Sequence, residues 1–135
     1  MAAYLWVAIG GALGSVTRFW FSGWVAEAAE RHASIFPWGT LAVNVSGSFA
    51  IGWLAAIGDP AGRRWLHLPQ REFFMYGLCG GYTTFSSFSL QTLTLLQDRE
   101  WLQAGANILL SVVLCMIAVW AGYLLGSTMN LTKGN

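Results

Sequence analysis

The sequence predicts an all-α integral membrane protein, one domain over residues 1–135 made of four membrane-spanning helices. Of 135 residues, 56% are hydrophobic and only 10% charged, too few charges and too much apolar surface for a soluble domain with a single core. A spanning helix needs roughly 20 mainly apolar residues. Four such segments fit the chain, at about 4–25, 38–57, 72–96 and 102–126, joined by short connections that leave little for a soluble domain. The formal net charge of +1 provides no basic stripe to neutralise phosphates, which argues against a nucleic-acid partner.

The first span carries Gly10, Gly11, Ala12, Gly14 and Ser15 near its middle, a face of small residues that favours close helix packing. Met1-Ala2-Ala3-Tyr4 has no cationic region ahead of the apolar run, so the segment is expected to stay as a helix and not be cleaved as a signal peptide. Arg18 sits well inside this span among Phe19, Trp20 and Phe21. Two readings stay open for it: a side chain snorkelling toward the interface, or a cation facing a water-filled vestibule and attracting anions. The connection Glu27 to Pro37 is polar and carries no apparent chemistry, with His32 as a lone loop histidine.

Pro37-Trp38-Gly39-Thr40 opens the second span as a helix start with an interfacial aromatic. Within it Asn44, Gly47 and Ser48 stand at i, i+3 and i+4 and share one face. Asn44 can make an interhelical hydrogen bond, worth about 1 kcal/mol in membranes, or donate its amide to a dehydrated ion. The stretch Gly58 to Arg71 reads as a basic loop containing Asp59-Pro60, Arg63, Arg64 and His67. The fourth span is the most hydrophobic, yet Asn107, Ser111 and Cys115 recur at i, i+4 and i+8 as one weakly polar stripe, and a polar, frayed tail is expected from Ser127 to Asn135. Cys79 and Cys115 both lie inside spans and read as small packing residues.

The third span is the anomaly. Gly77-Leu78-Cys79-Gly80-Gly81-Tyr82-Thr83-Thr84-Phe85-Ser86-Ser87-Phe88-Ser89 alternates glycines, hydroxyls and two phenylalanines, a poor surface to show to lipid. The Gly80-Gly81 pair permits a break in the helix at mid-membrane, whose freed carbonyls and amides need partners. Half-helix ends and exposed backbone oxygens are raw material for an ion site. Phe85 and Phe88 fall on one helical face amid hydroxyls. They can pack as core, or turn their electropositive ring edges toward an anion while hydroxyls donate hydrogen bonds.

No Asp or Glu lies in the middle of any span, so an exporter driven through an intramembrane carboxylate has no residue to use. No Ser/His/Asp, Cys/His or metal-ligand cluster falls at membrane depth, which points away from an enzyme. Between the spans, Arg63, Arg64, Arg71 and Lys133 would oppose Arg31 and Arg99. That bias is weak and permits either orientation. No internal repeat lets one chain fold as two inverted halves, and the polar sets on three spans are more than one monomer can satisfy, so an oligomer is expected.

The run Gly80-Gly81-Tyr82-Thr83-Thr84-Phe85-Ser86-Ser87-Phe88-Ser89 resembles the signature of the bacterial fluoride channels, the Fluc or CrcB family. Gly10-Gly11-Ala12-Leu13-Gly14-Ser15 through Arg18, and Gly39-Thr40-Leu41-Ala42-Val43-Asn44-Val45-Ser46-Gly47-Ser48-Phe49, resemble the family's other two motifs in the right order. The resemblance implies an antiparallel, dual-topology homodimer in the bacterial inner membrane that exports fluoride passively and protects against its toxicity. It implies that Phe85 and Phe88 line the ion path with their ring edges, that Asn44 is the pore-lining amide, and that Thr84, Ser87, Asn107 and Ser111 supply further polar groups. Arg18 takes the vestibule position, and Gly80 and Thr83 offer backbone carbonyls to a structural sodium ion (Na+) between subunits. Two positions depart from the family pattern: Gln91 stands where relatives commonly have Glu, and Cys115 where they often have a hydroxyl. A small exporter of organic cations and a purely structural membrane subunit are the competing readings. The first needs an embedded carboxylate, and the second predicts no ion flux.

Overall fold

The computed structural model describes residues 2–31, 34–58 and 68–132, and among them there is no strand. Helix α1 spans Ala2–Glu30 and α2 spans Trp38–Ile57. Helix α3 runs over 68–82 and includes a widened π-helical stretch, Glu72–Cys79. Helix α4 covers Phe85–Gln97 and α5 covers Trp101–Thr132. Of the residues that carry the orientation bias, Arg63, Arg64 and Lys133 lie outside the described residues, as do His67 and His32.

Helix α1 outruns the expected first span at both ends. Ala26, Ala28, Ala29, Glu27 and Glu30 are helix-favouring residues, and Glu27 pairs with Arg31 at 2.9 Å in the better i, i+4 orientation. The polar connection is therefore helical in its first half. The tail likewise continues as helix to Thr132 and does not fray at Ser127: Ser127 Oγ donates back to the Tyr123 carbonyl at 2.8 Å. Helix α4 ends in a Schellman arrangement, with Glu100 N–H on the Leu95 carbonyl at 2.8 Å and Arg99 N–H on that of Leu96 at 3.2 Å. Arg99 occupies the left-handed position at φ 63 that such a cap requires.

The distribution of side chains is the reverse of a soluble fold. Buried apolar residues are few and mostly modest in size, such as Leu41, Val43, Leu54, Ala56, Ala104 and Ala118, whereas Phe19, Trp20, Leu102, Leu109, Met116 and Trp120 are exposed. Soluble monomers rarely show contiguous apolar patches above a few hundred Å², so this surface belongs in an apolar medium. Helix α2 and residues Trp101–Met129 of α5 are long and apolar enough to cross a membrane.

In lipid, apolar burial does not drive helices together; close packing does. The sequence supplies it at two seams. Gly10 and Gly14 of α1 lie directly on the backbone of α3, where an added Cβ would strike the Phe73 and Leu78 carbonyls, and Gly81 lies as closely on Gly11. Helices α2 and α5 form the other seam, where a Cβ on Gly52 would meet the Val119 carbonyl and one on Gly122 that of Phe49. Because the obstructing atoms are backbone, no rotamer change relieves the clash. Gly122→Val is expected to abolish recovery of folded protein in mild detergent, while Gly105→Val, whose Cβ position is open, leaves it intact; size-exclusion recovery of the two variants checks this.

Candidate functional site

The site is built where helix hydrogen bonding stops. Thr83 (φ −77, ψ 155) and Thr84 (φ −149, ψ 115) are extended between α3 and α4. An extended residue turns its N–H and C=O outward, and both must find partners. Asn44 of α2 meets them with its one side-chain amide: Thr84 N–H donates to Asn44 Oδ1 at 2.8 Å, and Asn44 Nδ2 donates to the Thr84 carbonyl at 3.0 Å. An amide carries a donor and an acceptor side by side, so Asn can match the N–H and C=O of one extended residue in this way.

This clamp has a second consequence. In an uninterrupted helix the Thr84 N–H would close on the Gly80 carbonyl and the Ser87 N–H on the Thr83 carbonyl. Here the first is given to Asn44, and the second goes to Thr84 Oγ1 at 3.2 Å, where Thr84 acts as N-cap of α4. The Gly80 and Thr83 carbonyls thus lose their usual donors. Thr84 Oγ1 also donates to Ser87 Oγ at 3.0 Å, with Ser86 Oγ 3.2 Å away.

Three cavities follow one another past this point. A groove of about 430 Å³ is lined by Asn44 and Ser48 of α2, Gly80 and Thr83 at the end of α3, Phe85 and Phe88 of α4, and Ser111 and Cys115 of α5. A polar cavity of about 350 Å³ is lined by Ser15, Arg18 and Ser22 of α1, Thr40 of α2, Thr84 and Ser87. The two share Thr84. The second shares Phe19, Ser22 and Thr40 with a wider mouth of about 840 Å³, whose walls include Trp20, Trp24, Trp38 and Gln91. Arg18 lines the middle cavity.

The expected site residues divide between these spaces. Phe85 is 78% exposed and Phe88 half-buried, with ring centroids 5.2 Å apart and planes at 46°. Asn44, Thr83, Thr84, Gly80 and Ser111 meet Phe85 and Phe88 in the groove, while Ser87 turns to the cavity of Arg18. Asn107 is 1% exposed. It stands behind the groove wall, donating from Nδ2 to Thr92 Oγ1 at 2.8 Å and accepting at Oδ1 from Ser111 Oγ at 3.4 Å. Gln91 has a buried Oε1 with no partner among the described residues. Cys79 is buried and Cys115 half-buried, both as free thiols.

Two features escaped the reading of the sequence. Thr92 joins the polar set, and its i+4 spacing from Phe88, which places the two on one face of α4, could have revealed it. Tyr82 was passed over as well; its hydroxyl lies 2.9 Å from Ser46 Oγ.

An all-helical protein with membrane-length apolar helices, a broken third helical tract and a polar groove between helices defines a class of small helical membrane proteins. Residues 5–123 match the family model described as CrcB-like protein, Camphor Resistance (CrcB), and the chain belongs to that family. It is similar to proteins named Fluoride-specific ion channel FluC: that of Opitutus terrae, 52% identical over 135 residues and 100% of both chains; that of Methylocella silvestris, 52% identical over 131 residues, 97% of this chain and 98% of its own; and that of Rhodospirillum rubrum, 57% identical over 120 residues, 89% and 91% respectively.

Removing the clamp exposes its worth. Asn44→Leu leaves the buried Thr84 N–H and C=O without partners, at about 1–3 kcal/mol for each group. A lowered thermal unfolding temperature of the purified protein in detergent is the expected outcome, and an unchanged one would contradict the clamp.

Proposed function

We propose that this chain forms a fluoride-selective channel that lets fluoride leave the cell passively through the bacterial inner membrane. The observation that carries the reading is the convergence at Thr84: a cavity holding Arg18 meets a groove holding Asn44, Ser111 and the paired rings of Phe85 and Phe88. The names of the similar proteins support the same assignment.

The chemistry follows from what these groups offer a small, strongly hydrated anion. Arg18 raises the local anion concentration in the middle cavity. The start of α4, a 13-residue helix, adds a partial positive charge at its first turn. As water is shed, hydroxyls of Thr84, Ser87 and Ser111 and the remaining N–H of Asn44 replace it, and ring edges of Phe85 and Phe88 present the positive end of their quadrupoles. None of these groove groups is a full cation, so the ion is stabilised without being trapped. A larger halide, with a weaker demand for donors, gains less from a narrow path. An organic-cation exporter would need a carboxylate here, and among the described residues the acidic ones stand near the helix ends, at Glu27, Glu30, Glu72, Asp98 and Glu100.

The reading extends to assembly. Helices α1, α2 and α5, and α3 and α4 taken together as one tract, each cross the bilayer, with the 83–84 interruption at its middle. Phe85, open on one side of the groove in a single chain, is covered by a second copy running antiparallel. Gly80 and Thr83, whose carbonyls lost their helical donors, are hard oxygen ligands suited to a sodium ion at the centre of that dimer. The ion would tie together two helix ends that otherwise carry unsatisfied oxygens.

Phe85→Ile and Phe88→Ile keep apolar bulk and remove the ring edges. Each is expected to lower fluoride efflux from proteoliposomes about tenfold, the scale of one aromatic interaction, with the dimer still eluting intact; unchanged efflux in both would remove the ring pair from the path. Dual topology predicts that a reporter fused after Asn135 reads out on both faces of the membrane in one culture, whereas a signal on a single face would exclude the antiparallel dimer.

A further inference from the structure

The polar contacts behind the groove have a direction that can be worked out proton by proton. Thr92 has one hydroxyl proton, and it is donated to the Phe88 carbonyl at 2.8 Å. Thr92 Oγ1 can then only accept from Asn107, at 2.8 Å, which turns the Asn107 amide so that Nδ2 faces Thr92 and Oδ1 faces Ser111. With the Thr92 proton on the Phe88 carbonyl, the donors and acceptors of the three side chains fall in this order. Ser111 in turn points its proton at Asn107 Oδ1 across 3.4 Å, a long bond that is readily given up. Of the three side chains only Ser111 lines the groove; Thr92 and Asn107 are buried behind it.

We infer that Thr92 is a positioning residue that sets the proton of Ser111 by fixing the orientation of Asn107, so that the groove meets an arriving anion with a hydroxyl that must turn away from a weak bond to donate. This rests on the reading of the groove as the fluoride path. The arrangement limits how tightly the ion is held, because each donation by Ser111 costs the Asn107 contact. Without an acceptor at residue 92, the Asn107 amide gains by turning over: its N–H groups then donate to Ser111 Oγ and only a carbonyl is left unpaired, the less costly of the two orphans. The Ser111 proton becomes free for the groove, and the anion binds more tightly and leaves more slowly.

The test is fluoride efflux from proteoliposomes as a function of fluoride concentration, for the dimer as purified. Thr92→Val, close to isosteric, is expected to lower the half-saturating fluoride concentration about two- to tenfold, the span of one net hydrogen bond, and to lower the maximal rate with it. Thr92→Ser, which keeps the hydroxyl, is expected to restore the original half-saturation. In a Ser111→Ala background Thr92→Val should change half-saturation no further, since the coupling runs through Ser111. A Thr92→Val effect that persists without Ser111, a half-saturation unmoved by Thr92→Val, or a Thr92→Ser variant whose half-saturation is displaced would each overturn the inference. Absence of fluoride efflux from the unmutated protein would instead overturn the reading of the path itself.

Discussion

The pairing of one asparagine side chain with the N–H and C=O of one extended residue governs this site. Asn44 accepts from the Thr84 N–H and donates to the Thr84 carbonyl, at 2.8 and 3.0 Å. By supplying both partners it lets two residues stay extended inside a helical protein, where an unpaired backbone group is costly. Everything around it depends on that interruption. It releases the Gly80 and Thr83 carbonyls from helical bonding, starts α4 with a capped N-terminus at Thr84, and places Phe85 and Phe88 on the first turn of a new helix. A continuous helix would bury the same sequence as an unremarkable span.

The scaffold serves to hold α2 and α3 in the register that lets Asn44 reach Thr84. Glycines do this, since α1 lies on α3 through Gly10, Gly14 and Gly81, and α2 lies on α5 through Gly52 and Gly122. Close backbone approach substitutes for the hydrophobic driving force that lipid withholds. The π-helical stretch Glu72–Cys79 ends one short α-helical turn, Gly80–Tyr82, before the interruption; such widened turns are rare and gather at functional sites. The polar groups have a division of labour: Asn44 and Thr84 fix the backbone, Arg18 sits in the cavity before it, and Thr92 and Asn107 back the groove wall from outside.

How far the sequence could be read depended on range. Local rules located the long apolar helices, because apolar runs and Pro37 act within a few residues, but the break expected at Gly80-Gly81 falls instead at Thr83 and Thr84, since both glycines continue the helix through Tyr82. The same rules misjudged ends: α1 and α5 continue past the apolar stretch because alanine, glutamate and back-bonding serine favour helix independently of the membrane. The groove residues were recognisable from the unusual hydroxyl-aromatic pattern and its resemblance to a family. The alternatives left open for Asn44 were not resolvable from spacing, since the partner lies 40 residues away at Thr84. The π-helical stretch left no signature in composition or periodicity. Thr92 did, one turn beyond Phe88 on the same face, but a single threonine one turn beyond a motif carries little weight until its partner on another helix is known.

Passage of fluoride where Asn44, Thr84 and the two phenylalanines meet is tested most directly by electrode-monitored anion efflux from liposomes reconstituted with the purified, unmutated protein. Liposomes loaded with equal fluoride and chloride are expected to release fluoride at once when charge balance is provided by a potassium ionophore, and to retain chloride. Retention of fluoride, or release of both anions at similar rates, would contradict it.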